Sequence, residues 1–76
     1  MKPKPGYYKH YKGATYKFLM LARDSDDLKE LVVYQGQYTN EFGTNPVWVR
    51  PVAEFMETIE RDGKTMPRFE YLGEEL

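Results

Sequence analysis

The chain has 76 residues and no cysteine, so it is large enough for one hydrophobic core, and disulfides and thiolate metal sites are excluded. Aromatic residues make up 16% of the sequence, and they must supply most of the packing, which favours strands over helices. The net charge of −1 gives only weak long-range attraction to a polyanion, which argues against nucleic acid binding by overall charge.

The charges are unevenly distributed along the chain. Residues 1–23 contain six basic and no acidic residues, whereas residues 24–76 contain five basic and twelve acidic residues. If the early basic side chains share one face, that face would attract phosphate or an acidic partner. If a barrel interleaves early and late strands, the same charges are dispersed, and both interpretations stay open.

The first third of the chain predicts an arm followed by two strands. Residues 1–5 contain two prolines, and we expect them to form a flexible arm. Residues 7–11 predict the first strand, with Tyr8 and His10 on one face. Residues 15–22 predict a second strand that is apolar on both sides, as expected inside a sheet or barrel. One face of this second strand is predicted to carry Tyr16, Phe18, Met20 and Ala22.

Residues 24–46 predict a turn, a strand and a long loop. The acidic segment 24–27 lacks the ligand spacing of a calcium-binding loop and is interpreted as a solvated turn. Residues 30–38 predict the third strand, in which Gly36 is expected to mark a bulge. Residues 39–46 predict the longest irregular loop. Phe42 within it either plugs the end of the barrel or is an exposed contact, and we favour the plug.

The segment from Trp48 to Pro51 is the most densely specified part of the chain. Trp48 and Arg50 share one face of a strand predicted over residues 47–50. Pro51 ends that strand, because proline lacks the amide donor that would continue a ladder. Trp48 is interpreted either as a residue of the core or barrel end, or as part of a binding surface.

Two interpretations compete for the residues that follow Pro51. The apolar spacing over 52–59 fits an amphipathic helix, whereas the Asp62-Gly63 dipeptide is a strong hairpin signal. We predict one short helical turn near Pro51 to Phe55, followed by the hairpin. The hairpin would place Ile59 opposite Met66 and Met56 opposite Phe69.

Together these elements predict a mainly β fold, a small SH3-like barrel or roll of five to six antiparallel strands with one short helical turn near Pro51 to Phe55. Closure of such a sheet removes exposed edges, which a short chain cannot otherwise cover. The whole chain, 1–76, is predicted to be a single domain with the arm over 1–5, the barrel over 6–72 and an acidic tail over 73–76.

Several short motifs also resemble the signature of a family of small bacterial domains of unknown function. They are Gly6-x-Tyr8-x-His10-Tyr11-Lys12-Gly13, Trp48-Val49-Arg50-Pro51 and Asp62-Gly63-Lys64-x-x-Pro67-Arg68-Phe69. The resemblance runs from Gly6 to about Tyr71 and implies a compact SH3-like β-barrel, usually a short stand-alone cytoplasmic protein. It implies no established activity, so no catalytic residues are carried over. The chain departs from the pattern mainly over 39–46.

The set of reactive residues argues against an enzyme. A serine nucleophile would have to be Ser25 in the acidic turn, with His10 as the single imidazole, and nothing else in the sequence supports that pairing. One histidine without cysteine argues against a zinc site, and no glycine loop carries the lysine that a phosphate-binding loop requires. We expect no catalytic residue, no metal and no cofactor, although acid–base chemistry by His10 stays open.

Aromatic and arginine side chains offer better material for binding. Arginine holds a carboxylate or phosphate through paired N–H donors, and Tyr and Trp offer flat surfaces for stacking or for a proline-rich peptide. The candidate binding residues are His10, Tyr11, Arg23, Tyr34, Trp48, Arg50 and Arg68. Alternatively, the histidine is structural and the arginines pair with local acids in weak surface bridges. Such acids include Glu54, Glu57 and Glu70.

Two functions from different classes follow, in order of preference. The first is a non-enzymatic interaction module that docks an unknown protein or peptide on the aromatic and arginine surface. The second is a nucleic-acid-associated barrel, which requires Lys9, Lys12, Lys17 and Arg23 to form one acid-free face. The chain has no apolar run long enough to span a membrane, and we expect a cytoplasmic protein that is a monomer or weak homodimer.

Overall fold

Nine short strands and one helical turn make up the protein in a computed structural model that describes residues 3–76. In chain order they are β1 (Tyr7–His10), β2 (Thr15–Arg23), β3 (Glu30–Gly36), β4 (Thr39–Asn40), β5 (Gly43–Thr44), β6 (Val47–Pro51), α1 (Val52–Phe55), β7 (Thr58–Arg61), β8 (Lys64–Pro67) and β9 (Phe69–Gly73). The prediction of a mainly β fold with one short helical turn near Pro51 to Phe55 is confirmed.

Five of the strands form one antiparallel sheet in the order β6-β3-β2-β1-β9, and β4-β5 and β7-β8 form two small hairpins. Within residues 3–76 no ladder joins the edge strands β6 and β9, so the sheet is open. It is nevertheless curved, because the guanidinium carbon of Arg50 in β6 lies 5.9 Å from the ring centre of Phe69 in β9. We call this concave side the inner face. Of the two predicted forms, the observed one is the roll.

A bulge in β2 decides which of its side chains reach the inner face. The ladder with β3 shifts register between Phe18 and Met20, so the alternation of side chains is reset there. Leu21 therefore packs against the core, whereas Met20 is 56% exposed. The prediction that Met20 follows Phe18 on the same face is wrong. The bulge predicted at Gly36 is also wrong, because the ladder is regular at that residue.

The core is built from aromatic rings of the inner face. Phe55 of α1 is 1% exposed and stacks on Phe69 of β9, with ring centres 4.2 Å apart. Tyr8 and Tyr34 approach the Phe55 ring edge-on, at 5.1 and 5.5 Å. Aromatic pairs of this kind contribute about 0.5–1.5 kcal/mol each beyond their buried area. Helix α1 therefore covers the open side of the sheet with a ring contact where no ladder forms.

Helix α1 is only one turn long. Its C-terminal cap is Met56, and strand β7 begins two residues later at Thr58. Pro51 stays extended, with φ −53° and ψ 140°, so β6 ends there and α1 begins at the next residue. The alternative of an amphipathic helix over 52–59 is therefore wrong. The predicted pairing of Met56 with Phe69 is wrong as well, because the β7-β8 ladder begins at Thr58.

The hairpin β7-β8 turns at the predicted dipeptide. Asp62 and Gly63 have positive φ angles of 54° and 77°, as a type I′ turn requires at both central residues. The ladder pairs Ile59 with Met66, which confirms the predicted register. Both side chains are partly buried.

Segment 39–46, predicted as an irregular loop, contains the two-residue strands β4 and β5. The carboxamide oxygen of Asn40 accepts the N–H of Phe42 at 2.9 Å, which turns the chain between the two strands. Phe42 is 70% exposed, and its ring lies edge-on to Trp48 with centres 5.7 Å apart. The prediction that Phe42 plugs the end of the barrel is wrong, because the turn directs its ring to the outside.

The predicted flexible arm, residues 1–5, is described from Pro3 onward, and its first two residues lie outside the described range. The described part is held against the sheet. Pro3 is buried, and the hydroxyl groups of Tyr8 and Tyr71 donate hydrogen bonds to backbone carbonyls of the arm.

Gly6 and Gly13 provide a test of how closely β1 and β9 approach each other. Both have positive φ angles, 137° and 112°, so alanine at either position is strained by about 1–3 kcal/mol. At Gly6 an added Cβ would also lie 2.4 Å from the carbonyl oxygen of Gly73, whereas nothing lies within 4 Å at Gly13. We expect Gly6→Ala to lower the free energy of unfolding by at least about 1 kcal/mol more than Gly13→Ala, measured by urea denaturation. Equal losses would contradict the close approach.

Candidate functional site

Four of the predicted binding residues meet on the inner face. Cross-strand pairing places Tyr34 directly opposite Trp48, and Arg50 lies two residues further along the same strand. Residues paired across a ladder share a face, as do alternate residues of one strand. His10 is paired with Phe69, whose ring lies under the Arg50 guanidinium. His10, Tyr34, Trp48 and Arg50 therefore surround one region of the inner face, which we call the arginine site.

Arg50 is the charged centre of the arginine site, and its described contacts are long. Its Nε donates to the hydroxyl oxygen of Tyr34 at 3.4 Å, and its Nη1 lies 3.7 Å from the Glu54 carboxylate. The hydrogen bond with Tyr34 raises the pKa of Arg50, so the guanidinium stays charged. Because a guanidinium has five N–H donors, these two contacts leave donors available to a ligand.

A chain of hydroxyl contacts fixes the aromatic wall beside Arg50. The indole Nε1 of Trp48 donates to the Tyr38 hydroxyl at 2.9 Å, and that hydroxyl donates to Tyr16 at 3.3 Å. Burial and the hydrogen bond with Tyr38 raise the pKa of Tyr16. The Tyr16 hydroxyl therefore stays neutral. Trp48 is half-buried with its N–H bonded, so it combines the structural role predicted for it with a place at the arginine site.

His10 contributes a neutral ring rather than a charge. Burial lowers its pKa, and the nearby positive charges of Arg50, Arg68 and Lys12 lower it further. Its Nδ1 accepts the backbone N–H of Lys12 at 3.1 Å, so the proton of the neutral ring is assigned to Nε2. The ring lies edge-on to Phe69 with centres 4.9 Å apart.

Arg68 is occupied by a structural ion pair. Both Nε and Nη2 donate to Oε1 of Glu57, the first of them at 2.8 Å. The backbone N–H of Arg68 also bonds to the Glu57 carbonyl at 3.0 Å. Charge-assisted contacts of this kind are the stronger class of hydrogen bond. Arg68 thus ties the start of β9 to the chain after α1, as the alternative of pairing with local acids predicted.

Arg23 and Tyr11 lie outside the arginine site. Arg23 is exposed, and its Nη1 donates to the carbonyl of Leu28 at 2.7 Å, which closes the turn between β2 and β3. Tyr11 follows β1 and lies among cations, with Arg61 and Arg68 at 5.7 and 6.0 Å from its ring centre. In the described interactions neither residue contacts Arg50 or Trp48, although the Tyr11 ring contacts that of His10, with centres 4.5 Å apart.

The early basic residues do not form one acid-free face. Lys9 is paired directly with Glu70 in β9, and Arg23 is paired with Glu30 in β3. Cross-strand neighbours of opposite charge reduce the local positive potential. This arrangement matches the interleaving alternative and weighs against the nucleic-acid function.

Sequence reasoning missed three residues that support the arginine site, namely Tyr16, Tyr38 and Phe69. Tyr16 and Phe69 were assigned to strands, but the face they share with Arg50 follows from long-range pairing. Tyr38 lies between β3 and β4 and reaches the site only because the chain turns back there. The one sequence signal that could have indicated them is the high tyrosine count.

Metal binding and membrane spanning find no support in the described structure. Among residues 3–76, no three histidine, aspartate or glutamate side chains are placed to hold a metal ion. In the same range no helix is long and apolar enough to cross a membrane.

The fold and this site define a small, mainly β domain with one curved antiparallel sheet and an arginine among aromatic rings on its inner face. Over residues 6–71 the chain matches the family described as protein of unknown function (DUF1653), and it belongs to that family. This confirms the resemblance drawn from the motifs. The crystal structure of a DUF1653 protein from Bordetella bronchiseptica is similar, with a TM-score of 0.83 and 35% identity over 93% of this chain and 88% of that one. Among curated proteins, none matches the chain.

The aromatic wall can be tested at Gly36. An added Cβ there would lie 2.5 Å from the Tyr38 ring, so the ring must shift, which disturbs the hydrogen bond between its hydroxyl and Trp48. We expect Gly36→Ala to lower the free energy of unfolding by about 1–2 kcal/mol, because a half-buried N–H loses its partner. The indole N–H resonance of the single tryptophan should shift as it does in Tyr38→Phe. An unchanged indole resonance in Gly36→Ala would contradict the assigned contact.

The lowered pKa of His10 predicts a pH dependence of stability. In the unfolded chain His10 has about its ordinary pKa of 6.5, whereas folding lowers this pKa. Stability from this group is therefore present above pH 6.5 and is lost as the pH falls through the folded pKa. We expect the free energy of unfolding to fall more steeply between about pH 7.5 and pH 5.5 in the wild type than in His10→Gln. Identical slopes in urea denaturation would contradict the shift.

Proposed function

We propose that the protein is a non-enzymatic binding module whose arginine site holds a carboxylate or phosphate of a protein or peptide partner. The partial pairing of Arg50 is the observation that supports this function best. Its side chain is 30% exposed, and the Glu54 side chain near it is 55% exposed. An exposed ion pair of this kind contributes about 0–1 kcal/mol. An incoming anion would therefore replace a weak contact with a forked, charge-assisted one.

The contrast with Arg68 supports the choice of Arg50. Glu57 already accepts from two nitrogen atoms of Arg68, and removing Arg68 from that pair would leave a partly buried carboxylate without its cation. A ligand at Arg50 disturbs no such pair. Each arginine lies beside a proline in the sequence. The difference between them therefore comes from the side chains that contact them in the folded protein.

The surroundings of Arg50 favour an anion attached to a flat or apolar group. Trp48 lies on the same strand face as Arg50. The Phe42 ring packs edge-on against the Trp48 ring and remains largely exposed. Aromatic side chains lose little conformational entropy when they bind, and they supply large contact areas. A peptide with an aromatic residue near its carboxylate matches both parts of the surface.

The separation of His10 and Ser25 supports the non-enzymatic part of the proposal by excluding the single serine–histidine pair. His10 lies beside the start of β2, whereas Ser25 lies in the turn beyond its end. With nine residues in β2, a rise of about 3.3 Å per residue places them roughly 25 Å apart. A histidine cannot activate a hydroxyl at that distance. A cytoplasmic location is part of the same proposal, because a chain without cysteine suits a reducing compartment.

Three acetylated peptides test this function, all with the sequence Gly-Gly-aromatic. One ends in phenylalanine with a free carboxylate, one is its amide, and one is a phosphotyrosine amide. We expect the two anionic peptides to shift the NMR signals of the Arg50 Nε–H and the Trp48 indole, and the neutral amide to leave them in place. Arg50→Gln should weaken anion binding by about 10- to 100-fold, the loss expected for a hydrogen bond to a charged group.

Arg23→Gln is the matched control, because it removes an exposed guanidinium elsewhere on the sheet. It should change the dissociation constant by less than about twofold. The proposal is overturned if the neutral amide binds as tightly as the carboxylate, or if Arg23→Gln weakens binding as much as Arg50→Gln. Preference between carboxylate and phosphate identifies the chemical class of the partner.

A further inference from the structure

The N-terminal segment Pro3 to Pro5 packs along one side of a groove in its own domain. Pro3 is buried, although it stands at the first described position of the chain. The groove is formed by rings and apolar side chains from β1, from the C-terminal cap of α1, and from β8 and β9. Its lining residues besides the arm are Tyr8, Met56, Pro67, Phe69 and Tyr71. Together with the arm they bound a depression of about 420 Å³.

The polar contacts of this segment go to its backbone carbonyls. The Tyr8 hydroxyl donates to the carbonyl of Lys4 at 2.6 Å, and the Tyr71 hydroxyl donates to the carbonyl of Pro5 at 3.0 Å. Pro3 and Pro5 have no N–H to donate, so the segment cannot join the sheet as an edge strand through those residues. Its ordering depends on donors from side chains.

The side chain of the intervening lysine adds a third contact. The Lys4 Nζ lies 4.3 Å from the ring centre of Tyr71, a distance at which a cation is attracted by the ring face. Tyr71 therefore contacts both the carbonyl of Pro5 and the cation of Lys4. Burial raises the pKa of Tyr8, which keeps its hydroxyl a neutral donor.

These contacts have the chemistry of proline-rich peptide recognition. A Pro-rich segment in an extended conformation satisfies no backbone groups internally and presents its carbonyls to a partner. Domains that bind such segments use aromatic grooves in which rings pack on prolines. Tyr8 and Tyr71 supply the rings and the hydroxyl donors, and Pro3 to Pro5 supply a Pro-Lys-Pro sequence of the matching type.

We propose that the Tyr8 and Tyr71 side of this groove is a recognition site for a proline-rich segment with a basic residue between two prolines, and that the chain's own Pro3 to Pro5 covers these two side chains as an internal competitor. Because the arm is tethered to the groove, its effective concentration is high, and a peptide in solution must displace it. The apparent affinity for a peptide is the intrinsic affinity multiplied by the fraction of molecules in which the arm is released. The groove and the arginine site share the Phe69 ring. The proposal for the groove does not rest on anion binding at Arg50.

Loosening the arm tests the proposal in the full-length chain. Pro3→Gly combined with Pro5→Gly removes the restriction on φ at both positions of the arm. The probe is acetyl-Pro-Lys-Pro-Pro-Lys-Pro amide, and its control has alanine at every proline. We expect the loosened variant to bind the proline peptide at least about tenfold more tightly than the wild type does. Chemical-shift changes should fall on Tyr8 and Tyr71, and the alanine peptide should produce none.

The wild type provides a second measurement that does not depend on the variant. At saturating proline peptide, the amide signal of Lys4 should move to its random-coil position, because the arm leaves the groove. Tyr71→Phe removes one hydroxyl donor and should weaken peptide binding by about 2- to 10-fold. The amidated probe has no carboxylate, which separates this binding from anion binding. Arg23→Gln removes an exposed guanidinium outside the groove and should leave peptide binding unchanged.

Three results would overturn the proposal. The first is the absence of proline-peptide binding to both proteins at about millimolar concentration, a level that competes with a tethered segment. The second is binding that leaves the Lys4 signal unchanged. The third is equal binding of the proline and alanine peptides, which would show that the rings do not select proline.

Discussion

The stack of Phe55 on Phe69, with ring centres 4.2 Å apart, is the contact on which the rest of the structure depends. The sheet is open in the described residues, so its two edge strands have no ladder between them. The one-turn helix after β6 carries Phe55 across that opening to the first residue of β9. Tyr8 and Tyr34 pack around the same pair. A hydrophobic ring contact thus performs the closure that a hydrogen-bonded ladder performs in a complete barrel.

This closure also brings the functional groups together. Phe69 lies under the Arg50 guanidinium and beside the His10 ring, and it lines the groove that holds the N-terminal arm. The arginine site and the proline groove are therefore built around one buried ring. Any change that moves Phe69 acts on both surfaces, since interiors packed at crystal-like density transmit displacements.

Tyrosine hydroxyl groups explain how a chain without disulfides orders so many aromatic rings. Tyr8 and Tyr71 hold the arm, Tyr34 accepts from Arg50, and Tyr16 and Tyr38 form a chain with Trp48. Among the described residues, no buried side-chain nitrogen or oxygen lacks a partner. Each ring thus contributes apolar area while its polar end is satisfied, which avoids the cost of burying an unpaired hydroxyl.

Local physical rules let the sequence by itself determine the strands outside segment 39–46, the short helical turn after Pro51, the Asp62-Gly63 hairpin and the family motifs. Proline lacks a donor, positive φ favours particular residues, and side chains alternate along a strand, so these features need only neighbouring residues. Tertiary structure alone decided the outward position of Phe42, the register shift that exposes Met20, and the difference between the arginines. Arg50 and Arg68 both lie beside a proline. Two nitrogen atoms of Arg68 donate to Glu57, whereas Arg50 has only a 3.7 Å contact with the Glu54 carboxylate. The different pairing of the two arginines depends on how the aromatic core sets the register of distant segments. It cannot be read from the residues next to each arginine in the sequence.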